Sequence, residues 1–232
     1  MTIAPSVPRS ISAPPPTGRR PGWGALAAGL GFGGAAGVLA VVAVLTRPGQ
    51  TLDQALMMTL SEQSGATRSL AAQMMSGRIV WFALACVVVA LICTCMRPRR
   101  GGMAGPLVAF AGVNLTSQVV KSLLERPELT VGPHLSNSFP SGHAALAWGA
   151  TCALVLAPRT WLRGLALPVA AVGSLLISIG VVAAGWHRPS DVLGAALLAA
   201  AWGWGVHGLT LLGGRPSGSG RRGRRWATPP RG

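Results

Sequence analysis

"NSFPSGHAA", residues 137–145, crowds an Asn, two Ser and a His around Pro140 and Gly142, and the apolar run that follows carries no charge until Arg159. Pro-Ser-Gly before such a run reads as the start of a helix. Its first N–H groups lack intrahelical partners, and the positive end of the helix dipole lies beside them. An imidazole at that position is costly inside hydrocarbon, so His143 belongs at a surface where the helix begins.

The rest of the chain makes that surface a membrane surface. Of 232 residues, 50% are hydrophobic and 11% charged, against about 25% charged in soluble domains. A bilayer core takes about 20 apolar residues per helix. Apolar runs at 23–46, 79–96, 103–124, 143–157, 165–185 and 192–212 predict an all-α integral membrane protein, a six-transmembrane-helix bundle. Residues 1–22, rich in Pro and Arg, and the Gly/Arg/Pro-rich 213–232 read as disordered cytoplasmic tails flanking a membrane domain over 23–212. The first run is too long for a signal-peptide core and lacks a small-residue cleavage site. Within it Gly29, Gly33 and Gly37 recur on one face, a pattern for close helix packing inside the chain. Between the first two runs, Leu52, Leu56 and Leu60 form one apolar face, as in a helix lying at an interface.

Net charge is +15. Nucleic acid is not the implied partner, because no aromatics interleave with the basic residues as a stacking platform requires. The cations follow the positive-inside rule instead. Most flank the side that carries both termini, including Arg19, Arg20, Arg97, Arg159, Arg163 and Arg215, so that side is read as cytoplasmic. All 5 acidic residues, and His134, His143 and His187, fall on the other side. The four cysteines lie in apolar runs and read as small buried hydrophobes, with neither disulfide nor zinc spacing.

Three clusters share the outer side: Lys121 with Arg126, the Pro140–His143 turn, and His187 with Asp191. Lys and Arg supply fixed positive charge, and Arg grips phosphate oxygens in a bidentate fashion. His143 is placed to protonate a leaving oxygen. His187, with a carboxylate four residues on, has the form of an oriented nucleophile or base. Asn114, Thr116, Ser117 and Gln118 make the outer half of the third span polar, for interhelical hydrogen bonds or for lining a headgroup cavity. Trp148 and Trp186 flank the site as interfacial anchors.

The succession Lys121…Arg126-Pro127, Pro140-Ser141-Gly142-His143 and His187-x-x-x-Asp191 resembles the type 2 phosphatidic acid phosphatase superfamily of membrane lipid phosphatases. The resemblance spans about residues 110–195 for the motifs and 23–212 for the architecture. It implies a six-helix membrane enzyme that uses no metal and no cofactor. By that resemblance His187 attacks phosphorus to form a phosphohistidine, Asp191 orients it, and His143 protonates the leaving group. Lys121, Arg126, Ser141 and Gly142 hold the phosphate. The substrate expected is a membrane lipid phosphate or diphosphate at the outer face: a polyprenyl diphosphate, phosphatidate or phosphatidylglycerol phosphate. Transfer to a lipid or sugar hydroxyl, and a non-catalytic role in headgroup binding, are the alternatives. The sequence departs from the family pattern at two points. In the first motif, K-x6-R-P, the last two places are Glu128 and Leu129, with Arg126-Pro127 standing two residues earlier. In the third, S-R-x5-H-x3-D, the Ser and Arg places are Gly180 and Val181; Arg188 is the nearest cation able to take the missing role.

Overall fold

The computed structural model describes residues 21–61, 69, 77–96, 104–129 and 137–213. Of the tails expected at 1–22 and 213–232, residues 1–20 and 214–232 lie outside the described residues, as does His134, while Pro21, Gly22 and Gly213 are helical. Among the described residues there are seven helices and no strand. They are α1 (Pro21–Leu45), α2 (Arg47–Ser61), α3 (Arg78–Met96), α4 (Ala104–Leu123), α5 (Gly142–Leu156), α6 (Trp161–Ala183) and α7 (Pro189–Gly213).

Each of the six apolar runs coincides with a helix, and α2 is the additional amphipathic one. Four helices, α1, α3, α6 and α7, are long and apolar enough to cross a membrane. Helix α5 is apolar but has only 15 residues. Helix α4 has 20 residues but carries Asn114, Thr116, Ser117, Gln118 and Lys121. The outward faces are apolar: Trp81, Leu165 and Val169 are 71%, 65% and 68% exposed. Apolar side chains covering so much of a helical bundle are at home in lipid rather than in water.

Local chemistry sets the boundaries. The Ser141 hydroxyl caps α5 by accepting the Ala144 N–H at 3.3 Å. The Thr160 hydroxyl caps α6 by accepting from Arg163 N at 3.2 Å. That cap draws Trp161–Arg163, expected as part of a turn, into the first turn of α6. At the other end of α6, Gly185 takes φ +72°. Its N–H donates to Val182 O at 2.9 Å while Trp186 N–H reaches back to Val181 O at 3.1 Å. This is the Schellman closure that glycine permits. Pro189 then opens α7, where its missing N–H costs nothing.

Helix α5 packs against α3, α4, α6 and α7 with alanines at many of its contacts. Ala144, Ala145, Ala147, Ala150 and Ala153 are fully buried. One side packs with α3 and α6 through Ala83, Cys86, Ala90 and Ala170. The other packs with α4 and α7 through Ala109, Val113, Ala195 and Ala199. Small residues allow this close approach, and hydrogen bonds between side chains add to it. Thr151 and Ser174 hydroxyls lie 2.8 Å apart. Trp202 Nε1 donates to Thr116 at 3.1 Å. Trp148, expected as an interfacial anchor, instead donates its Nε1–H to Ser178 at 3.0 Å inside the bundle. Helix α1 runs antiparallel along α7: Gly22 faces Gly208 and Leu212, and Gly29 faces Ala201 and Gly205. The glycine face of α1 therefore serves packing within the chain at Gly29, while Gly37 meets nothing. Cys86, Cys93 and Cys152 are buried, as the apolar reading requires, and Cys95 is exposed; all four are free.

Two glycines should respond in opposite directions to the same change. A Cβ on Gly112 would fall 2.4 Å from the Trp202 ring, whereas one on Gly31 meets nothing within 4 Å. Gly112→Ala is expected to destabilise the protein by about 1–3 kcal/mol through overpacking. Gly31→Ala should leave it unchanged or stabilise it by about 0.5–1 kcal/mol. Thermal unfolding in detergent reads both; equal behaviour of the two variants would contradict the α4–α7 packing described.

Candidate active site

The three clusters predicted from sequence meet at one end of the bundle. A cavity of about 370 Å³ opens there, lined by Asn114, Gln118, Lys121, Gly142, His143, Leu146 and His187. Helix α4 contributes Asn114, Gln118 and Lys121, spaced so that they share a face. Helix α5 contributes Gly142, His143 and Leu146 from its first turn and a half. His187 comes from the turn between α6 and α7, just after the Schellman closure.

The two imidazoles face one another, with ring centroids 6.0 Å apart and planes at 71°. Trp186 stands beside His143, centroids 5.9 Å apart, and is 44% exposed. On the cavity floor, the N–H groups of Gly142 and His143 precede the first α-helical bond, which Ala145 N makes to Ser141 O at 2.9 Å. Gly142 leaves open the space below these donors: a Cβ there would sit in ordinary contact, 3.6 Å from Gln118 Nε2 and 4.0 Å from Lys121 Nζ. Donors from two helices thus converge over bare backbone at a helix N-terminus, an arrangement that binds anions.

Behind His187 lies a second layer built on Asp191, which is fully buried. His187 Nδ1 stands 3.4 Å from Asp191 Oδ2. That is an ion-pair distance, slightly longer than a formed hydrogen bond, and neither His187 Nδ1 nor Asp191 Oδ1 has another hydrogen-bond partner. Asp191 Oδ2 also accepts from the Ser138 hydroxyl and, at 2.9 Å, from the Arg188 N–H. The Asp191 carbonyl accepts the Ser141 N–H at 2.9 Å, which ties the Pro-Ser-Gly turn to the start of α7. Asn137 braces the same turn from the other side, donating to Leu124 O and accepting the Phe139 N–H.

The residues expected to hold an anion divide between the two layers. Lys121 and Gly142 line the cavity. Ser141 does not offer its side chain there: it is fully buried, its hydroxyl caps α5 and its N–H is taken by Asp191. Arg188 is 5% exposed and lies behind His187, donating from Nε to Gln54 at 3.2 Å and from Nη1 to Ser138 at 3.4 Å. Arg126 is half-buried, with an Nη1 that has no hydrogen-bond partner. Burial, and then the like charge of Arg188, push its guanidinium pKa down, while Asp191 and Asp53 support it. Val181, at the place where the family pattern carries Arg, is fully buried and packs with Met57, Ile79 and Val182. Its carbonyl still organises the turn, accepting the N–H groups of Trp186 and His187.

Among the polar residues of α4, Asn114 and Gln118 line the cavity, Thr116 bonds Trp202, and Ser117 is buried with no hydrogen-bond partner. Sequence reasoning missed Ser138, whose hydroxyl links Asp191 to Arg188, and it missed Asp53 and Gln54 altogether. Helix α2, read from its leucine stripe as an interfacial helix, leaves those leucines exposed and buries the adjoining face: Gln50, Asp53 and Met57. An acid in the middle of an otherwise buried face was the available signal. Among the described residues, no group of three or more His, Cys, Asp or Glu side chains is arranged to hold a metal ion.

Inorganic phosphate should raise the melting temperature of the wild-type protein, since ligand at about 100 times its Kd adds about 2.7 kcal/mol. Lys121→Ala is expected to abolish most of that rise; a full shift in the variant would remove Lys121 from the anion site.

Comparison with known proteins shows the family and the fold. A family model described as the PAP2 superfamily matches residues 26–212. The fold is similar to the crystal structure of a transmembrane PAP2-type phosphatidylglycerolphosphate phosphatase from Bacillus subtilis. The TM-score is 0.60 at 20% identity, and the match covers 81% of this chain and 98% of that one. No curated protein matches the chain.

Proposed function

The chain belongs to the PAP2 superfamily, and on that premise we propose that it hydrolyses a lipid phosphate or diphosphate at the outer membrane face through a phosphohistidine on His187. The observation that carries the reading is the opposition of two imidazoles, 6.0 Å apart across one cavity, only one of which is backed by a carboxylate. The pair is asymmetric, and the two halves of a phosphoryl transfer call for different groups. Asp191 on the Nδ1 side of His187 favours the tautomer whose Nε2 lone pair is free. That lone pair forms the N–P bond while the P–O bond to the lipid breaks and His143 gives its proton to the departing oxygen. Water then gives a proton to His143, attacks phosphorus, and releases inorganic phosphate with the electron pair returning to His187.

Charge is handled by the surroundings. Lys121, Gln118 and the first N–H groups of α5 contact the phosphoryl oxygens. Arg126 and Arg188 contribute positive charge from the rear layer, in place of the cation that Val181 does not supply. Ser141 shapes the floor. The cavity exceeds the volume of a phosphate group, and Asn114 and Leu146 in its wall suit the first polar and apolar atoms of a lipid beyond the ester. Phosphatidylglycerol phosphate, the substrate named for the Bacillus subtilis protein, is one candidate; phosphatidate and polyprenyl diphosphates are the others. The six helices matching the apolar runs cross the bilayer, with both termini cytoplasmic and the cavity outside.

A panel of these lipids, presented to purified protein in detergent, tests the reaction. His187→Ala is expected to release no phosphate above background, and His143→Ala to lose about 10²–10⁴-fold. Activity should persist in EDTA. Equal phosphate release by wild type and His187→Ala would overturn the nucleophile. Orientation is tested separately in a variant lacking the native cysteines. A cysteine at position 135 should react with an impermeant maleimide on intact cells, and one at position 220 only after permeabilisation; the reverse pattern would put the reaction on the cytoplasmic side.

A further inference from the structure

Helix α2 lies outside the three sequence motifs, yet it is bonded to both halves of the rear layer. Asp53 is 5% exposed. Its Oδ1 accepts the Ser190 N–H at 2.9 Å, and its Oδ2 accepts the Ser190 hydroxyl. Ser190 immediately precedes Asp191. One residue along α2, Gln54 accepts from Arg188 Nε at 3.2 Å. One turn earlier, Gln50 Nε2 donates to Pro127 O at 2.8 Å, next to Arg126, and Arg47 Nε donates to Leu129 O at 2.9 Å. Gln50 is itself anchored to the end of α1 through Val44 O at 2.7 Å.

These bonds join the start of α7, the His187 turn and the Arg126 segment to a single rigid helix. The carboxylate of Asp53 is expensive to hold there. Burial pushes its pKa up, and the two bonds from Ser190 draw it back. A buried acid in that position is retained at a cost, and the groups it bonds are those that carry the reacting imidazole and its partner. Backing hydrogen bonds of this type orient the groups in front of them.

We propose that Asp53 is a positioning residue of the active site, acting through Ser190 to fix Asp191 and His187, with Gln54 holding Arg188 from the same helix. The inference rests on the phosphohistidine reading for its kinetic consequence but not for its geometric one. Asp53 does not touch the cavity, so its loss acts on the chemical step rather than on binding.

The test uses the full-length protein in lipid nanodiscs, with two readouts. The first is steady-state phosphate release. Asp53→Ala should lower kcat about 10-fold or more and leave KM within about 3-fold, with Asp53→Asn recovering part of the loss. The second is the rate of histidine carbethoxylation by diethylpyrocarbonate, followed peptide by peptide. His187 should react about 3-fold faster or more in Asp53→Ala, as the turn loosens, while His207, near the far end of α7, keeps its wild-type rate. Ser190→Ala should move both readouts in the same direction, and the double variant should be no worse than Asp53→Ala alone, since the two side chains act as one unit. If wild type releases no phosphate from any lipid in the panel, the reaction reading fails and the His187 modification rate still decides the positioning role. If Asp53→Ala does not fold, Ser190→Ala and Asp53→Asn decide it. A His187 rate and a kcat within about 2-fold of wild type in the folded variants would overturn the proposal, as would additive losses in the double variant.

Discussion

The site depends on how one buried carboxylate is satisfied. Asp191 has no access to solvent, and an uncompensated charge in that position would cost several kcal/mol. Its partners are therefore obligatory: the Ser138 hydroxyl, the Arg188 N–H and the His187 ring on the side chain, and the Ser141 N–H on the carbonyl. Each partner belongs to a piece of chain that the site needs in place. Satisfying Asp191 brings the Pro-Ser-Gly turn against the start of α7 and sets His187 facing His143. Folding and site assembly are in this respect the same event.

Around that carboxylate the protein separates two tasks. The cavity layer carries one fixed charge, Lys121, among Asn114, Gln118, Gly142, Leu146 and the two imidazoles. The rear layer gathers Asp53, Asp191, Arg126 and Arg188, and the two carboxyl groups there support the charge of Arg126. Val181, where the family pattern carries Arg, is given to apolar packing against α2 and α3.

Much of this was legible in the sequence, for identifiable reasons. Helices α1 and α3–α7 follow apolar runs, and for the four long enough to cross a membrane lipid leaves one outcome, because only a helix satisfies its own backbone. Lys121, His143, His187 and Asp191 were legible because alternation of the runs places their ends together. What stayed hidden depends on partners distant in sequence. Asp53 finds Ser190 137 positions away, while the local pattern advertises only the leucines on the adjoining face of α2. Trp148 has the composition of an anchor, and only the neighbouring position of Ser178 turns it inward. Ser141 sits in a motif that suggests a ligand, yet its N–H is held by the Asp191 carbonyl and its hydroxyl oxygen caps α5.

The order in which these parts occur along the chain has a consequence for biogenesis. Asp53, Lys121, His143 and the His187–Asp191 segment emerge from the ribosome in that sequence, and the last of them opens the final helix. Helix α7 is also the strip against which α1 lies, so the first helix to enter the translocon waits for the last one to find its neighbour. Until then the His187–Asp191 pair is absent, and the cavity beside α4 and α5 lacks one of its walls.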